Sequence, residues 1–284
     1  MSATAPARPV PWSRLLGAEL RWVLRRPRTL VGLGLFALVP VLMAVGIALS
    51  DGPSRSLLSQ VAGNGLTLPV AALSALLMLL LPLAVAVAAA DAIAGESQHG
   101  TLRGVLLAPV GRLRLVVMKA FGVLVVAGLA VAVVVVSGTV AGWALIGPPV
   151  VPFGAGGDGA LLSLSGSVLP VSDAAYRIGL AALWTLGQLT AIGAVALAVS
   201  ACTEHPLVVV SSVLGGLILL GVLAAIPALE PLRPYLITTG WGAAADVLRD
   251  PIPYRGLAHG TLVALGYLAV GAVVLTVRMR RRDA

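Results

Sequence analysis

The sequence predicts an all-α integral membrane protein with six transmembrane helices. Only 11% of its 284 residues are charged and 59% are hydrophobic, whereas soluble domains carry about 25% charged residues. Six apolar segments reach the roughly 20 residues that a helix needs to cross a bilayer core: Thr29–Leu49, Leu66–Ala90, Leu115–Ile146, Ile178–Ala201, Leu207–Leu229 and Leu257–Val277. The basic residues between them are unevenly placed. Of the 19 Lys and Arg, all but Arg55, Arg177, Arg233, Arg249 and Arg255 fall in segments on the same side as the N-terminus. The positive-inside rule then predicts a multi-pass cell-membrane protein with both termini cytoplasmic.

The elements follow in order. Residues 1–11 (MSATAPARPVP) are small and Pro-rich and predict a disordered tail. They form no signal peptide, because the first apolar run starts only after Arg28 and is a full span long. Over 12–28, Trp12, Leu16, Leu20 and Val23 share one helical face and Arg14, Arg21 and Arg25 the opposite one. That pattern predicts an amphipathic helix in the membrane interface. Residues 29–284 form the six-span domain. Within it, Pro40, Pro69 and Pro82 are candidate kinks. The outer loop 147–177 is rich in Gly, Pro and Ser and reads as irregular. The outer segment 230–256 encloses a short helix-like run from Trp241 to Leu248, and its Trp241, Tyr235 and Tyr254 read as interface anchors.

The stretch from Gly95 to Lys119, GESQHGTLRGVLLAPVGRLRLVVMK, is a charge-bearing interruption between the second and third spans. Thr101 can cap a short helix there, Pro109 ends it, and Arg112, Arg114 and Lys119 anchor the following span. Glu96, a Gly-Thr-Leu at Gly100–Leu102, the pair Leu106-Leu107, a Pro-Val at Pro109 and the closing Arg and Lys give the stretch a pattern. It resembles the cytoplasmic loop of ABC-2-type transporter permeases. The resemblance implies that loop 91–114 is the coupling element for a separate cytoplasmic ATPase. Glu96, Gly100, Thr101, Leu102, Arg103, Leu106, Leu107 and Pro109 would form it, the leucines in an apolar groove of the ATPase and Arg103 at an acidic rim. It implies short re-entrant helices within 230–256, a transport path along the first, second and fifth spans, and assembly with a second permease copy or a homologous permease.

The residues supply no chemistry of their own. A phosphate-binding loop needs a Lys in a Gly-rich frame, and the single lysine, Lys119, sits in MKAFG. No His/Cys pattern has metal spacing, so no metal site is expected, and no local signature of a nucleophilic triad occurs. The single cysteine, Cys202, excludes an intrachain disulfide. The formal charge of +8 reads as topology anchoring rather than nucleic-acid binding. The chain is therefore expected not to be an enzyme and to bind no cofactor, with ATP and Mg on the partner subunit and membrane lipid around it. Asp91, at the end of the second span, is a candidate gate residue paired with Arg103 or another basic neighbour. Thr185, Gln188 and Thr190 form a polar patch that lines a substrate path or joins helices by hydrogen bonds. The function expected is export of hydrophobic small molecules such as drugs or antibiotics, or of lipid-linked cargo. An ion-driven transporter and a membrane assembly factor are the alternatives.

Overall fold

The computed structural model describes residues 12–49, 64–98, 112–147, 159–165 and 167–281. Helix α1 spans Trp12–Arg25 and is followed at once by α2, Pro27–Ala48. A 3-10 turn at Gly65–Thr67 leads into α3, Leu68–Leu77, and α4, Leu80–Ala90. Next come α5, Arg112–Ala141; α6, Val171–Ser200; α7, Pro206–Ala225; α8, Ala243–Asp246; and α9, Tyr254–Arg281. Among the described residues, six helices are long and apolar enough to cross a membrane: Pro27–Ala48, Leu80–Gln98, Leu113–Ile146, Val171–Ser200, Pro206–Ala225 and Tyr254–Arg281. The chain is an all-α multi-pass membrane protein.

Local chemistry sets the helix boundaries. Pro27, Pro69 and Pro206 stand at the first positions of α2, α3 and α7, where the missing N–H has no helical partner to lose. Pro69 therefore starts a helix and does not kink one. Pro40 sits inside an unbroken α2. Pro82 acts differently: it withholds the donor that the Met78 carbonyl needs four residues earlier. The chain breaks at Met78 and Leu79, with Leu79 at φ −149 and ψ −53. The expected single span Leu66–Ala90 is thus two helices. The lower one continues past Ala90 through a π-helical turn, Asp91–Gly95, and a last turn, Glu96–Gln98.

Helix α6 is the central post. In its most apolar stretch 56% of residues are buried, as in Leu80–Gln98, against 17% in α7 and 22% in α2 and α9. The packing of α9 on α6 needs Gly271, where a Cβ would stand 2.7 Å from the Ala194 carbonyl carbon. Higher up, Trp184 Nε1 donates to the Leu257 carbonyl at 3.0 Å and Gln188 Nε2 to the Gly260 carbonyl at 3.2 Å.

The two ends of the bundle differ. The α1–α2 junction, the end of α4, the start of α5 and the α6–α7 corner meet at one end, which we call the basic face. There Ser200 Oγ accepts the Ala94 N–H at 3.0 Å. The opposite face carries a small antiparallel hairpin where an irregular loop was expected, β1 at Gly159–Leu162 pairing with β2 at Val168–Pro170. It also carries two 3-10 segments, Pro227–Tyr235 and Ile237–Gly242, ahead of α8. The expected helical run from Trp241 to Leu248 is α-helical only over Ala243–Asp246. Trp241 is not an interface anchor, because it is buried in the main core, whereas Tyr235 and Tyr254 are exposed. Arg177, expected to be an outer loop residue, is also buried. Its Nη1 donates to the Val247 carbonyl at 2.8 Å and its Nη2 pairs with Asp250 Oδ1 at 3.0 Å.

The α6–α9 contact makes a direct prediction. Gly271→Ala should cost about 1–3 kcal/mol through overpacking against a helix backbone. Gly266→Ala, on the same helix with no atom within 4 Å of its Cβ position, should leave stability unchanged or raise it by up to about 1 kcal/mol. Thermal unfolding in one detergent compares the two, and an equal effect would remove the close-packing role of Gly271.

Candidate functional site

The basic face holds a cluster of three cations and three carboxylates. Lys119, in the second turn of α5, is buried, and its ammonium lies 2.5 Å from Glu96 Oε1 and 3.6 Å from Glu19 Oε1. Glu96 sits in the last turn after α4 and Glu19 in the middle of α1. One ammonium therefore joins three elements. Alongside, Arg26 Nη1 pairs with Asp91 Oδ2 at 2.9 Å, while Arg28 Nη1 is 3.8 Å from Asp91 Oδ1.

Two local features allow this arrangement. The π-helical turn at Asp91–Gly95 has i→i+5 winding, which stacks Asp91 and Glu96 on one side of the chain, where an α-helix would point them apart. The second feature is Gly122, one turn beyond Lys119. A Cβ there would stand 2.9 Å from Glu19 Oε1 and 3.2 Å from its Cγ, so the carboxylate seats on bare backbone.

Burial sets the electrostatics. It pushes the Glu19 carboxyl above its ordinary 4.5; Lys119 opposes the shift and the neighbouring Glu96 adds to it. Burial likewise pulls the Arg26 guanidinium below its ordinary value, against the attraction of Asp91. Among the described residues no group of His, Cys, Asp or Glu could hold a metal ion. The chemistry open to this cluster is mechanical: it fixes α1, the end of α4 and the start of α5 to one another.

A cavity of about 220 Å³ runs beneath the cluster between α2, α4 and α5. Its mouth is charged, with Arg26, Asp91 and Lys119, and its deeper wall is apolar, with Phe36 and Ala130. Its walls come from the first, second and third spans and include no residue of α7, the fifth span.

The residues expected from sequence separate into three groups. Glu96 and Asp91 lie together in the cluster; the partner of Asp91 is Arg26, with Arg28 next to it. Gly100, Thr101, Leu102, Arg103, Leu106, Leu107 and Pro109 lie outside the described residues. Thr185, Gln188 and Thr190 stand on α6, away from the cluster. Thr185 and Gln188 are buried, and Gln188 is bound to α9. The Thr190 hydroxyl donates to the Leu186 carbonyl of its own helix and borders a separate cavity of about 140 Å³ between α5, α6 and α9.

Sequence reading missed Glu19 and the burial of Lys119. One signal was present. Seven residues after Trp12, Glu19 falls on the apolar face of α1, where an unpaired carboxylate is costly.

A family model described as ABC-2 family transporter protein matches residues 15–284. No curated protein matches the sequence.

Two substitutions separate the roles in the cluster. Lys119→Met leaves Glu19 and Glu96 buried without their common cation and should cost about 3–5 kcal/mol. Glu19→Gln should behave in the opposite way. A carboxyl whose folded pKa is raised contributes stability fully present below 4.5 and lost as pH rises through the folded value. The variant should therefore be at least as stable as the parent at pH 7, with the difference closing as pH falls toward 4.5. Melting temperatures across that range test both, and a Glu19→Gln protein that melts well below the parent at pH 7 would contradict the account.

Proposed function

Since the chain belongs to the ABC-2 family of transporters, we propose that it is the permease subunit of an ATP-driven exporter that works with a separate ATPase at its basic face. This reading makes the basic face cytoplasmic, in keeping with the distribution of Lys and Arg. The ATPase supplies ATP and Mg chemistry, and two permeases, identical or homologous, complete the transporter. The cargo class is hydrophobic small molecules, drugs and antibiotics among them, or lipid-linked compounds.

One observation supports this reading most: the ion pair between Glu96 and Lys119. The two residues bracket the loop that resembles a coupling element, and Glu19 draws α1 into the same contact. A force reaching either flank of that loop would pass through this pair to the second and third spans. Nucleotide-driven movement of an ATPase docked there would then shift the balance between two arrangements of the bundle. In this account Glu96 is a positioning residue, and Leu102, Leu106 and Leu107 make the contact with the ATPase. The Asp91–Arg26 pair belongs to the same frame and lies at a helix end, not at the mid-membrane depth that ion coupling calls for.

The test is copurification. The tagged chain, extracted in mild detergent, should bring down a stoichiometric soluble ATPase whose hydrolysis is stimulated by cargo. Leu106→Asp, which places a carboxylate where an apolar contact is proposed, should lower that association at least ten-fold without loss of membrane insertion. Glu96→Ala should retain more of the association but uncouple hydrolysis from transport. A chain that purifies alone, or an ATPase bound equally by both variants, would overturn the assignment.

A further inference from the structure

We propose that the groove between α2, α4 and α5 is a binding site for one anionic phospholipid, with the headgroup at Arg28 and an acyl chain lying toward Ala130. The groove follows the helix axes. On α4 its wall runs from Leu80 to Asp91, eleven residues or about 16 Å at helical rise. Its polarity changes along that length from charged at the basic face to apolar deeper in, as a phospholipid does from headgroup to tail. The volume of about 220 Å³, set against a 150 Å³ cavity that holds benzene, takes a chain segment on the order of eight carbons. Leu35 and Val87 on its walls are exposed, so the groove opens sideways, where bilayer lipid lies.

Charge selects the headgroup. Arg26, Arg28 and Lys119 line the mouth with Glu19 and Asp91, and Glu96 on Lys119 balances the third cation, so selection rests on Arg28 and not on net charge. Lys119 is held between its two carboxylates, and Arg26 is the close partner of Asp91. Arg28 is 3.8 Å from Asp91 with 81% of its side chain exposed, which leaves most of its guanidinium to face a phosphate. A zwitterionic headgroup would bring its own cation beside the exposed Arg28 guanidinium.

Gly32 gives a place at which the groove can be blocked. It lines the groove one turn below Arg28, and a Cβ built on it meets no atom within 4 Å. No helix contact requires a glycine there, although glycine in a helix interior is unfavourable. What its missing side chain provides is open space in the groove.

The experiment is native mass spectrometry of the full chain in detergent, titrated with phosphatidylglycerol or with phosphatidylcholine of the same chains. The proposal does not depend on the exporter reading, because lipid retention is measured without any ATPase. The parent should retain one phosphatidylglycerol per chain, at least five-fold in preference to phosphatidylcholine. Arg28→Ala should abolish the preference, and Gly32→Phe should abolish retention of both lipids. Gly34→Phe adds the same bulk at a position outside the groove with equally open surroundings and should match the parent. Equal retention of the two lipids by the parent, or no retention, would overturn the proposal. So would a Gly32→Phe protein that binds as the parent does, an Arg28→Ala protein that keeps the preference, or a Gly34→Phe protein that loses lipid as fully as Gly32→Phe.

Discussion

The arrangement of the basic face depends on one ammonium group shared by two carboxylates. Lys119 is buried at the start of a 30-residue helix, where an unpaired charge would be expensive. Its partners come from α1 and from the far end of the second span, so three elements converge on it, although Glu96 alone balances its charge. The geometry around it allows that convergence. The π-helical turn brings Glu96 round to the side that Asp91 occupies, and Gly122 lets α1 approach until the Glu19 carboxylate rests against backbone. The second carboxylate on Lys119 carries an electrostatic cost, since burial and Glu96 both disfavour its charge. A contact that costs stability and still closes the cluster fits a role in holding α1 to the bundle and not in maximising the stability of the fold.

The opposite face is fixed by other means. Arg177 reaches from α6 to the backbone carbonyls of the segment before α9 and to Asp250, and Asp250 in turn accepts from Ser167 of the hairpin. That end is tied by one guanidinium threaded into backbone, whereas the basic face is tied by side-chain ion pairs. Between them the joints are apolar and rely on small residues, as at Gly271. The α6–α9 joint adds two buried directional bonds to this packing, from Trp184 to the Leu257 carbonyl and from Gln188 to the Gly260 carbonyl.

Much of this was legible in the sequence, for identifiable reasons. Apolar runs of span length have one structural outcome in lipid, so six spanning helices could be read, but not that the run Leu66–Ala90 divides into two helices or that α6 starts seven residues early. The family could be read because Glu96, Gly100 and Pro109 carry a pattern, and the match over residues 15–284 bears that resemblance out. Lys119 read as a surface anchor because a basic residue at a span end usually is one; its burial depends on α1, 100 residues earlier, folding back onto it. Arg177 was misplaced for a similar reason, since α6 begins seven residues before its apolar run does and draws the arginine inside. Trp241 looked like an anchor because aromatic residues near an interface give the same composition whether they face lipid or core. In each case the missing information was a long-range contact.

The interruption at Met78 and Leu79 has a mechanical meaning. Pro82 leaves the Met78 carbonyl without its helical donor, and the two linking residues are held by 3.4 Å bonds to Ala75 and Leu76. The second span is therefore a jointed lever with a pivot part of the way along its length. Rotation of the lower arm, which carries Asp91 and leads into Glu96, need not swing the upper arm, which is packed beside α5. A displacement at the basic face can therefore be taken up at this joint before it reaches the opposite face.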